Sequence, residues 1–318
     1  MSVLASPRAD AGAAADIVRR RLSRRGTDLG GRLFEALLLL MLLAGLGVLG
    51  WLLTVVTVNG LPTLVERGGD FFTSGLASRP ERAGVAQGLT GSLYLMGFVA
   101  ALAFPLGIAA AVYLEEYARD TALTRLMNGV VRNLAGVPSI VYGLLGLAIF
   151  VVALGDVLGP GRASGRSLLA GGLTMAVLVL PIVIITAAEA LRAVPVAIRE
   201  AAFGVGATRW EVVRHHVLPY AAPGILTGTI LAMARAFGET APLIVVGAVV
   251  GGFNLAYDNP LEQLFGRYTA LPTTIYDWAG NPPEFAGNVY AAIVVLLVVL
   301  LGVNALAVVL RNRFDRRW

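Results

Sequence analysis

The chain has 318 residues, of which 57% are hydrophobic and only 14% charged, with a net charge of +5. Soluble domains carry about 45–50% apolar and about 25% charged residues. The composition, with a mean hydropathy of +0.76, therefore excludes a disulfide scaffold, a disordered chain and nearly every soluble enzyme, and makes lipid the solvent for most of the chain.

Residue types narrow the chemistry further. Cysteine is absent, which removes disulfides, thiol nucleophiles and thiolate metal sites. All 25 basic residues are arginine, so Schiff-base chemistry and the P-loop lysine that reaches nucleotide phosphates are both missing. The two histidines, His215 and His216, are adjacent. Helix neighbours point about 100° apart, so they read as solvated or interfacial residues. No metal site and no catalytic group is expected. The pI of 9.9 has no basic stripe interleaved with aromatics behind it, which argues against nucleic acid.

In chain order, residues 1–33 are an Arg- and Ala-rich tail without sustained periodicity. Six apolar runs follow, at 34–58, 89–114, 137–154, 168–188, 224–250 and 289–310. Each approaches or exceeds the roughly 17–25 residues of a spanning helix. The first is too long for a cleaved signal segment, whose apolar region is about 7–15 residues. Pro105, Pro181 and Pro242 lie inside runs, which membrane helices tolerate. Eighteen arginines flank one side and six the other, with Arg235 inside a run. The excess faces the cytoplasm. The predicted fold is an all-α integral membrane protein with six transmembrane helices and both termini cytoplasmic, the tail included. Residues 89–310 form the core of five spans.

The loop at 199–219 reads as a polar helix, a glycine turn and a second short helix stopped near Pro219. Gly206 supplies the turn. Thr208 with Glu211 makes a capping box. In run five, Arg235 and Glu239 share a helix face at i, i+4. Arg235 follows Gly224 by 11 residues, or about 16 Å of rise. A charge at mid-membrane costs at least about 2.5–3.5 kcal/mol. The pair is either a structural ion pair that cancels its own cost or part of an anion pathway. In the second case a guanidinium grips a tetrahedral oxyanion, and a carboxylate accepts a proton from hydrogen phosphate but repels sulfate.

The loop resembles the EAA loop of prokaryotic ABC-importer permeases. The matching residues are Glu200, Ala201, Ala202, Gly206, Leu218 and Pro219, with His216 where the family has an aliphatic residue. Four further stretches resemble the phosphate permease family PstA: Tyr113 to Ala118, Gly136 to Gly143, Ala234 to Leu243 and Leu271 to Ala279. An arginine that some relatives carry near the end of run four is missing from Ile184 to Glu189.

The resemblance implies a permease subunit of an ATP-driven importer of inorganic phosphate in the plasma (inner) membrane. The loop would dock on an ATPase as a coupling helix. ATP binding would close the ATPase dimer, and the spans would alternate access. ATP and Mg would reside on the partner ATPase, with no cofactor on this chain. The partners implied are a second permease PstC, a PstB ATPase dimer, the external phosphate carrier PstS and membrane lipid. Pro138 and Ser139 either start a helix or line the path. Glu115 and Glu116 are expected to be solvated at the interface, and Tyr276 and Trp278 to be interfacial anchors or carrier contacts. The alternatives are a permease for molybdate, sulfate or phosphonate, or a secondary anion transporter. The latter class shows inverted repeats and broken helices, neither visible in the sequence. A membrane-anchored enzyme would need a nucleophile–base pair, which is also not visible.

Overall fold

A computed structural model describes residues 29–158, 164–248 and 260–314. Among the described residues, five helices are long and apolar enough to cross a membrane: Leu29–Arg67, Ala86–Tyr117, Leu168–Arg192, Arg209–Gly238 and Pro283–Val309. Ala122–Ala135 and Ser139–Ala153, bent by 102°, make a sixth if counted as one span. Among the described residues there is no strand. This is an all-α membrane protein.

The chain divides into two compact units, Met1–Val55 and Val56–Trp318. Of the first, residues 29–55 are described, and they lie within helix α1 (Leu29–Arg67). Leu37 to Leu43 are exposed without a break. A helix apolar all round has no water-facing side, so this segment is built for lipid.

In the second unit, α1 ends and a short α2 (Gly69–Thr73) follows. The unit then builds on α3 (Ala86–Val112), α4 (Ala122–Ala135), α5 (Ser139–Gly146) and α6 (Leu168–Arg192). Next come α7 (Val196–Gly204), α8 (Arg209–Val212), α9 (Leu218–Gly238) and α10 (Ala241–Val246). The last are α11 (Pro260–Phe265), α12 (Leu271–Ala279) and α13 (Ala286–Phe314). Helix α6 is the hub. Val179 and Val183 on it are fully buried beside Val99 of α3 and Ala232 of α9.

Span five is interrupted, contrary to the unbroken run read from the sequence, whereas the bend before α5 falls at the start of run three, which continues through Ala153. The third breaks between α4 and α5, where Pro138 takes an extended conformation (φ −55°, ψ 135°). The residue before a proline is itself pushed out of the α region, so the turn at Val137-Pro138 is local in origin. Tyr142 Oη donates to Leu134 O at 2.7 Å and ties the two arms together. The fifth breaks between α9 and α10. The two breaks meet in space. A Cβ on Gly143 would come 2.8 Å from Pro242 Cα, so α5 can approach α10 only because residue 143 has no side chain.

Candidate functional site

Helix α9 begins at Leu218, six residues before run five as read from the sequence, and ends at Gly238. It stops because Glu239 adopts extended backbone (φ −75°, ψ 118°), and α10 restarts with Pro242 in its first turn. Residues 249–259 lie outside the described ones, so the end of run five at 250 does too. Arg235 Nε donates to Glu239 Oε1 at 3.4 Å. The arginine side chain is 52% exposed on this chain and the glutamate 18%. Among the described residues, the two terminal nitrogens of Arg235 make no hydrogen bond.

Pro138 is exposed and Ser139 half-buried at the start of α5. Contact of Gly143 with Pro242 sets that helix beside the break that carries Arg235 and Glu239. Val137 packs on the same core cluster as Ala236 and Phe237. The two predicted groups thus belong to one region, and the hydrogen bonds among the described residues do not join them directly.

At the opposite end of α9 lies the loop of 199–219. Gly206 turns with φ +89°, a conformation other residues resist. Thr208 caps α8. Its Oγ1 accepts from Glu211 N at 3.4 Å while Glu211 Oε2 accepts from Thr208 N at 2.8 Å. The Thr208 N–H, and then its hydroxyl, which donates to Glu211 Oε2 at 2.8 Å, hold the Glu211 carboxyl below its usual range. Ala202 is buried, while Glu200, Ala201 and Gly206 are exposed. Phe203, Val205 and Trp210 present apolar surface outward, Val205 at 86% exposure. The second helix does not stop at Pro219. It passes through a π-helical segment, Val213–Val217, into α9, with Leu218 and Pro219 in the first turn. His215 and His216 are exposed beside Pro219 and Tyr220.

The expectation of solvated glutamates at the end of span two is wrong. Tyr113–Tyr117 is a π-helical turn, and Glu116 on it is only 8% exposed. Glu116 Oε1 accepts from Arg199 Nη2 at 2.7 Å. Glu115 Oε1 lies 3.2 Å from Arg192 Nε. Sequence reasoning missed Arg199 and Arg192. The only sequence signal was two adjacent glutamates closing an apolar run.

On the other side of the core, Trp278 is 2% exposed and packs between Phe71 and Phe285, at 6.4 and 6.1 Å. Burial removes it as an interfacial anchor or carrier contact. Tyr276 is 65% exposed. Ser92 Oγ accepts from Leu271 N at 2.8 Å, fixing α12 on α3. Among the described residues, no group of three His, Cys, Asp or Glu could hold a metal ion.

Residues 103–318 match the family of binding-protein-dependent transport system inner membrane components. The phosphate transport system permease protein PstA 1 of Mycobacterium tuberculosis (strain CDC 1551 / Oshkosh) is 36% identical over 84% of this chain and 84% of its own length. The chain belongs to this family of transport permeases, within its PstA group. The PstA of Mycobacterium leprae is 34% identical, again over 84% of both chains. Among solved structures, a bacterial ABC transporter involved in the import of the acidic polysaccharide alginate aligns with a TM-score of 0.64. It is 16% identical over 89% of this chain and 96% of its own, a likeness of fold. The match to the family spans the loop of 199–219, both breaks and the Arg235–Glu239 pair.

Proposed function

We propose that this chain is the membrane permease subunit of an ATP-driven importer that carries inorganic phosphate through the inner membrane to the cytoplasm. The observation that carries the reading is Arg235, half-exposed at the break in span five, with its terminal nitrogens unpaired among the described residues and a carboxylate alongside. A guanidinium with free N–H groups matches a tetrahedral oxyanion. Glu239 supplies an acceptor for the proton of hydrogen phosphate. The phosphate transport named for the PstA relatives supports the same substrate.

Power comes from a separate ATPase in this reading, a PstB dimer that holds ATP and Mg. The exposed Phe203, Val205 and Trp210 suit a docked partner surface, since exposed apolar clusters mark interaction sites. Glu200, Ala201, Ala202, Gly206, Leu218 and Pro219 form the coupling loop. A PstC partner completes the path beside Arg235, Glu239, Pro138 and Ser139, and a PstS carrier delivers phosphate from outside.

Labelled phosphate uptake at low micromolar phosphate tests this in cells lacking the chain. Wild type should restore uptake, with excess sulfate and molybdate ineffective as competitors. Arg235→Ala should lose roughly tenfold or more at normal membrane levels, because charge-assisted bonds are worth about 1.5–3 kcal/mol. Competition by sulfate or molybdate would move the substrate to another oxyanion.

A further inference from the structure

The π-turn Tyr113–Tyr117 receives three arginines. Arg192, at the end of α6, meets Glu115 at 3.2 Å. Arg199, on α7, meets Glu116 at 2.7 Å. Arg209, the first residue of α8, stands over the Tyr117 ring at 5.5 Å. The Arg199 guanidinium also donates to Leu191 O and Val194 O, at 2.9 and 2.7 Å, where α6 ends. Cations at a helix C-terminus satisfy its orphan carbonyls and complement its dipole. One side chain therefore joins span two, span four and the loop.

The contacts differ in what they resist. Glu115–Arg192 is partly open, and such pairs contribute little. Glu116 is nearly buried. Withdrawing Arg199 would leave its carboxylate desolvated without a partner, which is strongly unfavourable. Helix α7 cannot part from the end of α3 without that penalty, whereas it can tilt together with it.

We infer that Glu116 and Arg199, steadied by Tyr117 and Arg209, lock the coupling loop to span two, so that motion imposed on the loop passes to that span as one rigid body. The inference rests on the importer reading above. Glu116 and Arg199 are positioning residues: they touch neither the oxyanion nor the nucleotide.

The test uses the whole transporter in vesicles, with oxyanion uptake and ATP hydrolysis measured together. Glu116→Gln and Arg199→Gln should keep carrier-stimulated hydrolysis within about twofold, while oxyanion moved per ATP falls by roughly fivefold or more. The double variant should be no worse than Arg199→Gln alone, since that substitution already removes the contact with Glu116. An unchanged ratio, or additive losses, would overturn the inference. The ratio is read with whichever oxyanion the wild-type vesicles take up, so a wrong substrate assignment shows separately.

A second measurement leaves the pair intact in case either variant fails to assemble. The chain has no cysteine of its own, so Tyr113→Cys and Val196→Cys, both exposed, place one spin label on each body. Their separation should change by less than about 2 Å, the scale of small helix shifts, between nucleotide-free and ATP-bound complexes. A larger change would show that the loop slides past span two.

Discussion

Glu239 accepts from Arg235 Nε at 3.4 Å across the end of the helix that carries the arginine. The carboxylate is on the first non-helical residue, so its position is set by the break rather than by the helix face. A long single bond leaves both groups only partly committed to each other. That suits a site in which the arginine holds an anion while the carboxylate tests whether the anion carries a proton. Glu239→Gln should keep phosphate uptake and admit sulfate as a competitor, with discrimination falling roughly tenfold, equivalent to about 1.4 kcal/mol. Uptake with graded sulfate measures this. Unchanged discrimination would assign the glutamate to charge balance alone.

The meeting of the two breaks makes its own prediction. Gly143→Val places a Cβ 2.8 Å from Pro242 Cα and 3.2 Å from Val245 Cβ. Backbone is on the other side, so no flexible side chain can yield. Overpacking of this kind costs about 1–3 kcal/mol. The purified variant should melt several degrees lower, at roughly 2–4 °C per kcal/mol for a chain of this size. Gly97→Ala, whose Cβ would meet nothing within 4 Å, is the control and should not melt lower.

What the sequence made legible was local. Gly206 and the Thr208–Glu211 box were readable because turn and cap chemistry sits within a few residues. The lipid-facing runs were readable because a span needs only length and apolarity. The break in span five was not, since Gly238 and Pro242 are both tolerated inside membrane helices and nothing local says which will interrupt. The same holds for Pro219, which starts α9 where it was read as a stop. Glu116 and Arg199 are 83 residues apart, beyond any spacing rule. Their pairing follows from how α6 returns the chain to the end of α3.

Trp278 shows the same limit and gives a third prediction. Its partner Phe71 comes from far back in the chain and joins it in one core cluster with Phe285, so periodicity could not reveal its burial. Trp278→Ala should cost about 3–5 kcal/mol, as for other buried tryptophans, and lower both melting temperature and membrane yield. Tyr276→Ala, two residues away and exposed, should stay within about 0.5 kcal/mol. Equal effects would contradict the burial difference.

The capping box ties the loop of 199–219 to pH. Glu211 has its carboxyl held low chiefly by the Thr208 backbone N–H, then by the Thr208 hydroxyl. A carboxyl depressed in the fold stabilises it above the ordinary glutamate range, near 4.3. That contribution is lost as pH falls through the lower folded value. The start of α8 should therefore be indifferent to pH across the neutral range and loosen only in acid well below pH 5. Amide hydrogen exchange at residues 209–212, followed from neutral pH downward and corrected for intrinsic rates, reads this directly. Thr208→Ala removes the cap at every pH at a cost of about 1 kcal/mol. It should speed exchange there roughly fivefold already at neutral pH, and it should keep most of the acid transition, because residue 208 retains the backbone N–H that chiefly holds the carboxyl. Loosening that began near neutral pH would overturn the assignment of the transition to the Glu211 carboxyl.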